Sequence, residues 1–95
     1  METDFFDVLA KPYRREIIRL LRWKDMGVNE ITEALAISQP SVSRHLDIMK
    51  KAEMVTAERR SNQMIYSLNL SAIQGIVVKI IQLLDPDGGR EGEHE

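Results

Sequence analysis

Few side chains in this sequence suit covalent or metal chemistry. There are no cysteines, and the two histidines, His45 and His94, lie far apart in the chain. That excludes disulfides and thiolate metal sites. With so few soft ligands, a zinc or copper site would have to be assembled across subunits. There is no glycine-rich phosphate loop, no Cys–His pair and no Ser–His–Asp set that can be placed plausibly. The chain is therefore expected not to be an enzyme and to carry no cofactor. What remains is the chemistry of hydrogen bonds and charge. Ser38, Gln39, Pro40, Ser41, Ser43, Arg44 and His45 form one polar, basic run, and Arg59, Arg60, Asn62 and Gln63 form a second.

Charge is unevenly placed. The net charge of the 95 residues is −2. Residues 85–95 hold five acids against Arg90, a net of −4, which leaves +2 for residues 1–84. The reading is one domain over 1–84, mildly basic, followed by a disordered acidic tail over 85–95. No run of 18 apolar residues offers a membrane span. The acidic start, METDFFDVLAKP, lacks the apolar core of a secretory signal, so a cytoplasmic location is expected.

Periodicity places these runs on elements. Residues 4–10 read as a short helix capped by Thr3 or Asp4, with Phe5 and Leu9 on one face. Lys11-Pro12 breaks it, and Pro12 opens a second helix over about 12–24. Tyr13, Ile17, Ile18, Leu20 and Leu21 recur there at helical spacing; Arg14, Arg15, Arg19 and Arg22 are assigned to the other face. Gly27 is read as its terminator, and Asn29 as the N-cap of a third helix over about 30–36. Ser38 caps a fourth helix with Pro40 in its first turn, and Val42, Leu46 and Met49 make its buried stripe. Residues 55–60 and 64–68 read as two strands joined by a Ser61-Asn62-Gln63 turn. In the last helix, about 71–84, nine of residues 72–84 are apolar. A helix apolar around most of its circumference must be buried around most of it. A monomer this small cannot cover it, so a second subunit is expected.

Two short helices joined by a tight turn and followed by a hairpin make a winged helix-turn-helix. The fold class is mainly α with a β-hairpin wing, five helices and two strands. Groove geometry explains such a layout: the major groove of DNA admits one helix, a second braces it, and the wing reaches along the backbone.

The stretches KPYRREIIRLL (from Lys11), Glu30-Ile31 to Leu35, ISQPSVSRHL (from Ile37), AEMV (from Ala52) and the Arg59–Leu68 hairpin together resemble the ArsR/SmtB family of bacterial transcriptional regulators. The resemblance runs from Phe6 to Leu84. It implies a homodimer formed by the first and last helices, here Phe5, Phe6, Leu9, Ile73, Ile76, Val77, Ile80, Ile81 and Leu84. It also implies double-stranded DNA as partner, and repression by promoter occlusion at an inverted-repeat operator. Matching positions put Gln39, Ser41, Ser43 and Arg44 on the DNA-facing side of the fourth helix. Gln39 suits adenine, and Arg44 suits guanine or phosphate. Arg59 and Arg60, with Asn62 and Gln63 at the wing tip, would hold phosphates or probe the minor groove.

Two positions depart from the family pattern. Glu53 stands where the family has a glycine in left-handed conformation. The cysteine pairs and acid–histidine clusters of metal-sensing members have no counterpart, so no metal is expected to be sensed through either arrangement. Members of this kind answer to a small-molecule effector, a redox signal or a regulatory protein, or simply repress their own gene; a cysteine redox switch is excluded here and the others stay open. Arg14 and Arg15 have two readings, phosphate contact or a solvated face paired with Glu16 or Glu33. His45 also has two, phosphate contact or a partly buried, hydrogen-bonded ring. Gly75 either admits a partner helix or is merely tolerated. Trp23 is expected to pack against the dimer helices. The rival from another class is a winged-helix protein-interaction module, which would carry apolar or acidic residues where Gln39, Ser43, Arg44 and the wing arginines stand.

Overall fold

The computed structural model describes residues 5–85. Thr3, Asp4 and the acidic tail beyond Asp85 lie outside them. The elements run α1 (Phe5–Leu9), α2 (Pro12–Trp23), β1 (Met26–Gly27), α3 (Val28–Leu35), α4 (Gln39–Lys51), β2 (Val55–Arg60), β3 (Gln63–Leu68) and α5 (Leu70–Leu84). The core takes side chains from all of these except β3 and α5: Val8, Ile17, Leu21, Met26, Ile31, Val42, Leu46, Met49 and Val55, with Met54 from the α4–β2 connection. Ile17 and Leu21 are i, i+4 neighbours, and Val42, Leu46 and Met49 follow i, i+4, i+7, so each helix presents one stripe to the centre.

The sheet has three strands, not two. β1 pairs antiparallel with β3, Met26 opposite Tyr66 and Gly27 opposite Ile65, giving the order β1-β3-β2. Gly27 therefore does not terminate α2 in a left-handed turn. It is extended, at φ −86° and ψ 171°, and is itself the N-cap of α3, the position assigned to Asn29. Its N–H donates to Glu30 Oε1 at 3.2 Å. The Lys24 ammonium, 3.0 Å from Glu30, and this N–H hold the Glu30 carboxyl below its usual range. Gln63 is a strand residue opposite Arg60, so the β2–β3 turn is the two residues Ser61 and Asn62. Ser61 takes φ 55°, the hand that two-residue hairpin turns use.

α4 ends on a tight motif. Met54 N–H donates to Met49 C=O and Glu53 N–H to Lys50 C=O, both at 2.9 Å. This is the Schellman arrangement, with the buried pair Met49 and Met54 supplying its hydrophobic contact. The left-handed residue is Glu53, at φ 63°. A side chain with a Cβ costs about 1 kcal/mol there relative to glycine. Glu53→Gly is therefore expected to raise the melting temperature by about 4–8 °C. A lowered value in a calorimetric scan would contradict the strain. Asn69 ties this corner to the last helix: its Nδ2 donates to Glu53 C=O at 2.9 Å, and its Oδ1 accepts from Ala72 N–H at 3.3 Å.

Candidate nucleic-acid interface

α3 and α4 form the helix pair. α3 ends on Ala36, left-handed at φ 57°, whose N–H donates to Thr32 C=O. Ile37 packs against the core and Ser38 starts α4. The Ser38 hydroxyl accepts from Ser41 N–H at 3.3 Å and donates to Ser41 Oγ at 2.9 Å. Both hydroxyls thus serve the helix start while remaining on exposed residues.

With Val42, Leu46 and Met49 buried, the opposite arc of α4 faces solvent. Gln39, Pro40, Ser43 and Arg44 lie on it, exposed. Gln39 and Ser43 are one turn apart, as are Pro40 and Arg44, so the four make a compact patch. Asp47 lies on the same arc, exposed next to Ser43 and Arg44, and is not among the residues expected from the sequence to face DNA. Its carboxylate is 3.4 Å from Lys51. The signal was available, because 43, 44 and 47 are i, i+4 and i, i+3 neighbours.

His45 turns away from this arc and is half-buried. Its Nδ1 accepts from Arg14 Nε at 3.1 Å, and its ring lies 6.1 Å from the Tyr13 ring. Arg14 is not on a solvated face: it is 8 % exposed, and its other bond goes to Asp7 C=O at 3.3 Å. The spacing Arg14, Ile17, Leu21 puts it on the buried stripe of α2, a pattern that the arginine's charge disguised. Arg15 donates to Leu9 C=O and Arg19 pairs with Glu16.

Burial, with the charges of Arg14, Arg44 and Lys11, holds the His45 imidazolium below its usual pKa. An unfolded chain takes up this proton near pH 6.5 and the folded chain only at lower pH. The unfolded state then binds more protons, and stability is lost as pH falls through that window. The melting temperature should therefore drop between pH 7.5 and pH 5.5, and the drop should be smaller in His45→Asn. Equal drops in the two proteins would remove His45 as the cause.

The wing splits its two arginines. Successive side chains of a strand face opposite ways. Arg60 shares a side with Glu58 and lies 3.2 Å from it and 3.6 Å from Asp25, so its charge is partly satisfied within the chain. Arg59 is exposed and in no ion pair among the described residues. Asn62 sits in the turn; Gln63 Oε1 lies over Gly27, 2.8 Å from where a Cβ would stand.

α5 has no buried residue despite its composition. Val77, Ile81 and Leu84 are exposed, as is Phe6 of α1, while Phe5, Leu9, Ile73, Ile76 and Ile80 are half-buried. Trp23 is 77 % exposed, with the Arg22 guanidinium 4.9 Å from its ring centroid. Among the described residues no cluster of three or more His, Cys, Asp or Glu could hold a metal ion, and no helix is long and apolar enough to cross a membrane.

The family described as "Bacterial regulatory protein, arsR family" matches residues 11–57, which span α2 through the first half of β2. The transcriptional repressor SdpR of Bacillus subtilis is 41% identical over 72 residues, 76% of this chain and 80% of that protein. This chain belongs to the arsR family of bacterial regulatory proteins. The arsR-family chain is likewise 43% identical over 60 residues to the HTH-type transcriptional repressor SmtB of Mycobacterium tuberculosis, where it spans 63% of its own length and 44% of that protein's. The fold recurs in the homodimeric winged helix-turn-helix DNA-binding domain of Mb0332 from Mycobacterium bovis, with a TM-score of 0.67 at 22% identity, covering 78% of this chain and 70% of that one. An arsR-family protein is a regulator and not an enzyme. Its two-residue β1, absent from the reading of the sequence, braces the wing of this winged helix-turn-helix.

Proposed function

We propose that this arsR-family protein is a sequence-specific DNA-binding repressor of the cytoplasm. It acts as a homodimer and occludes a promoter at an inverted-repeat operator. The observation that carries the reading is the exposed arc of α4. Gln39, Ser43 and Arg44 stand clear of the protein on a helix whose opposite side is locked into the core. In the major groove Gln39 pairs with adenine and Arg44 with guanine, while Asp47 accepts from a cytosine amino group. Arg59 holds backbone phosphate, and Arg60 does so only by giving up Asp25 or Glu58. The interaction-module reading is disfavoured, because that arc is neither apolar nor acidic.

Dimerisation is supported by the unburied apolar surface of α5 and by Phe6, and the Mb0332 domain is named as homodimeric. A Cβ at Gly75 would meet nothing within 4 Å, so this glycine is not required by packing within its own chain and leaves room for a partner helix. Two α4 helices then meet half-sites about one helical turn apart. Release from DNA answers to a small molecule or a protein partner.

Fluorescence anisotropy tests the reading. The DNA upstream of the protein's own gene is compared with a scrambled duplex at about 0.15 M salt. Gln39→Ala and Arg44→Ala should each weaken binding to the former by roughly five- to 150-fold, a loss of about 1–3 kcal/mol. They should leave the scrambled duplex far less affected. Equal, weak binding of all three proteins to both duplexes would favour the interaction module.

A further inference from the structure

We propose that Lys11, Arg14 and the Nε2–H of His45 form a seat for one DNA backbone phosphate at the junction of α2 and α4, beside the base-reading arc. This rests on the DNA-binding reading above. Arg14 is 8 % exposed, yet its two side-chain bonds go to neutral acceptors, His45 Nδ1 and Asp7 C=O. A nearly buried guanidinium with no carboxylate in contact among the described residues leaves a positive field that an anion would satisfy. Neither Lys11 nor Arg14 is in an ion pair among the described residues, whereas Arg19 holds Glu16 and Lys24 holds Glu30; Arg15 and Arg22, also outside any ion pair there, bond Leu9 C=O and lie against the Trp23 ring respectively. Lys11 is the N-cap of α2, its carbonyl accepting from Arg14 N–H at 3.0 Å, and Tyr13 next to it faces the His45 ring. The seat is therefore assembled from residues 31 positions apart.

The bond from Arg14 also sets the tautomer of His45. With Nδ1 as acceptor, the neutral ring carries its proton on Nε2. Nε2 is not among the buried polar atoms that lack a partner, and no bond to it is formed among the described residues, so it is open to solvent there as a donor. Arg14 is thus a positioning residue for His45 as well as a source of charge.

Each phosphate contact contributes about 0.9 to the slope of log K against log salt concentration. Anisotropy titrations of the full chain, with a labelled duplex from upstream of its own gene and a scrambled duplex, should show that Lys11→Gln lowers this slope by about one on both DNAs. Arg19→Gln, an ion-paired cation of the same helix, should leave it unchanged. Arg14→Lys tests the positioning role: it keeps the charge, and should shift the His45 Cε1–H proton resonance and weaken binding to both duplexes. In wild type the same resonance should move on adding duplex and much less on adding inorganic phosphate at equal phosphate concentration. An equal response to free phosphate would overturn the assignment to the DNA backbone. Tight binding with the slope unaltered in Lys11→Gln, or a His45 resonance indifferent to DNA, would overturn the seat alone. Failure of every duplex to bind would overturn the DNA reading itself.

Discussion

Ile81→Glu should convert the protein from a dimer to a monomer at micromolar concentration. Ile81 is 58 % exposed in the single chain and shares the stripe of Ile73, Val77 and Leu84 along α5. In a two-fold interface the substitution enters twice. If each buried carboxylate without a partner costs about 3 kcal/mol, dimerisation weakens by roughly 10⁴-fold. Sedimentation equilibrium reads this directly. DNA binding should fall with it, because a monomer offers one recognition helix and the operator gains nothing from its second half-site. Ile73, Ile76 and Ile80 of α5 are half-buried within the single chain, Ile73 against the core, so far-UV circular dichroism should keep the signal of the other helices and lose at most that of the exposed end of α5. A variant that stays dimeric would move the interface off α5.

Leu46→Ala should be the most damaging single change to the subunit itself. Leu46 is fully buried on the recognition helix, between His45 and Asp47. Truncating such a leucine costs about 2–5 kcal/mol, from lost transfer energy and the cavity left behind. Small domains have about 5–15 kcal/mol in total. The melting temperature should then fall by roughly 10 °C or more. DNA affinity should fall at temperatures where the domain is still folded, because Leu46 is the middle of the three anchors that fix the direction of the Gln39–Arg44 arc. A shift under about 2 °C would mean that α4 is not packed as described.

Local sequence and tertiary structure settle different residues. Val42, Leu46 and Met49 were legible as a buried stripe because helical periodicity is a local property, and the Ser38 cap and Pro40 in the first turn were legible for the same reason. Glu53 was suspect because one backbone conformation excludes most side chains, and its φ of 63° shows the helix ending in that conformation. The composition of α5 pointed to a partner, and the structure leaves its Val77, Ile81 and Leu84 exposed. β1 was not legible: two residues have no period, and Met26–Gly27 is a strand only because β3 lies beside it.

Arg14 marks the limit between the two. Its spacing with Ile17 and Leu21 belongs to the sequence, yet burying a guanidinium requires acceptors, and those come from Asp7 and from His45, 31 residues away. Sequence determined the apolar stripe of α4, its start at Ser38 and the outward side carrying Gln39, Ser43 and Arg44, since each depends on neighbours within a turn. Tertiary structure decided which cations are paired, which ring nitrogen of His45 accepts, and how the wing arginines divide. Those outcomes depend on groups brought together from distant parts of the chain.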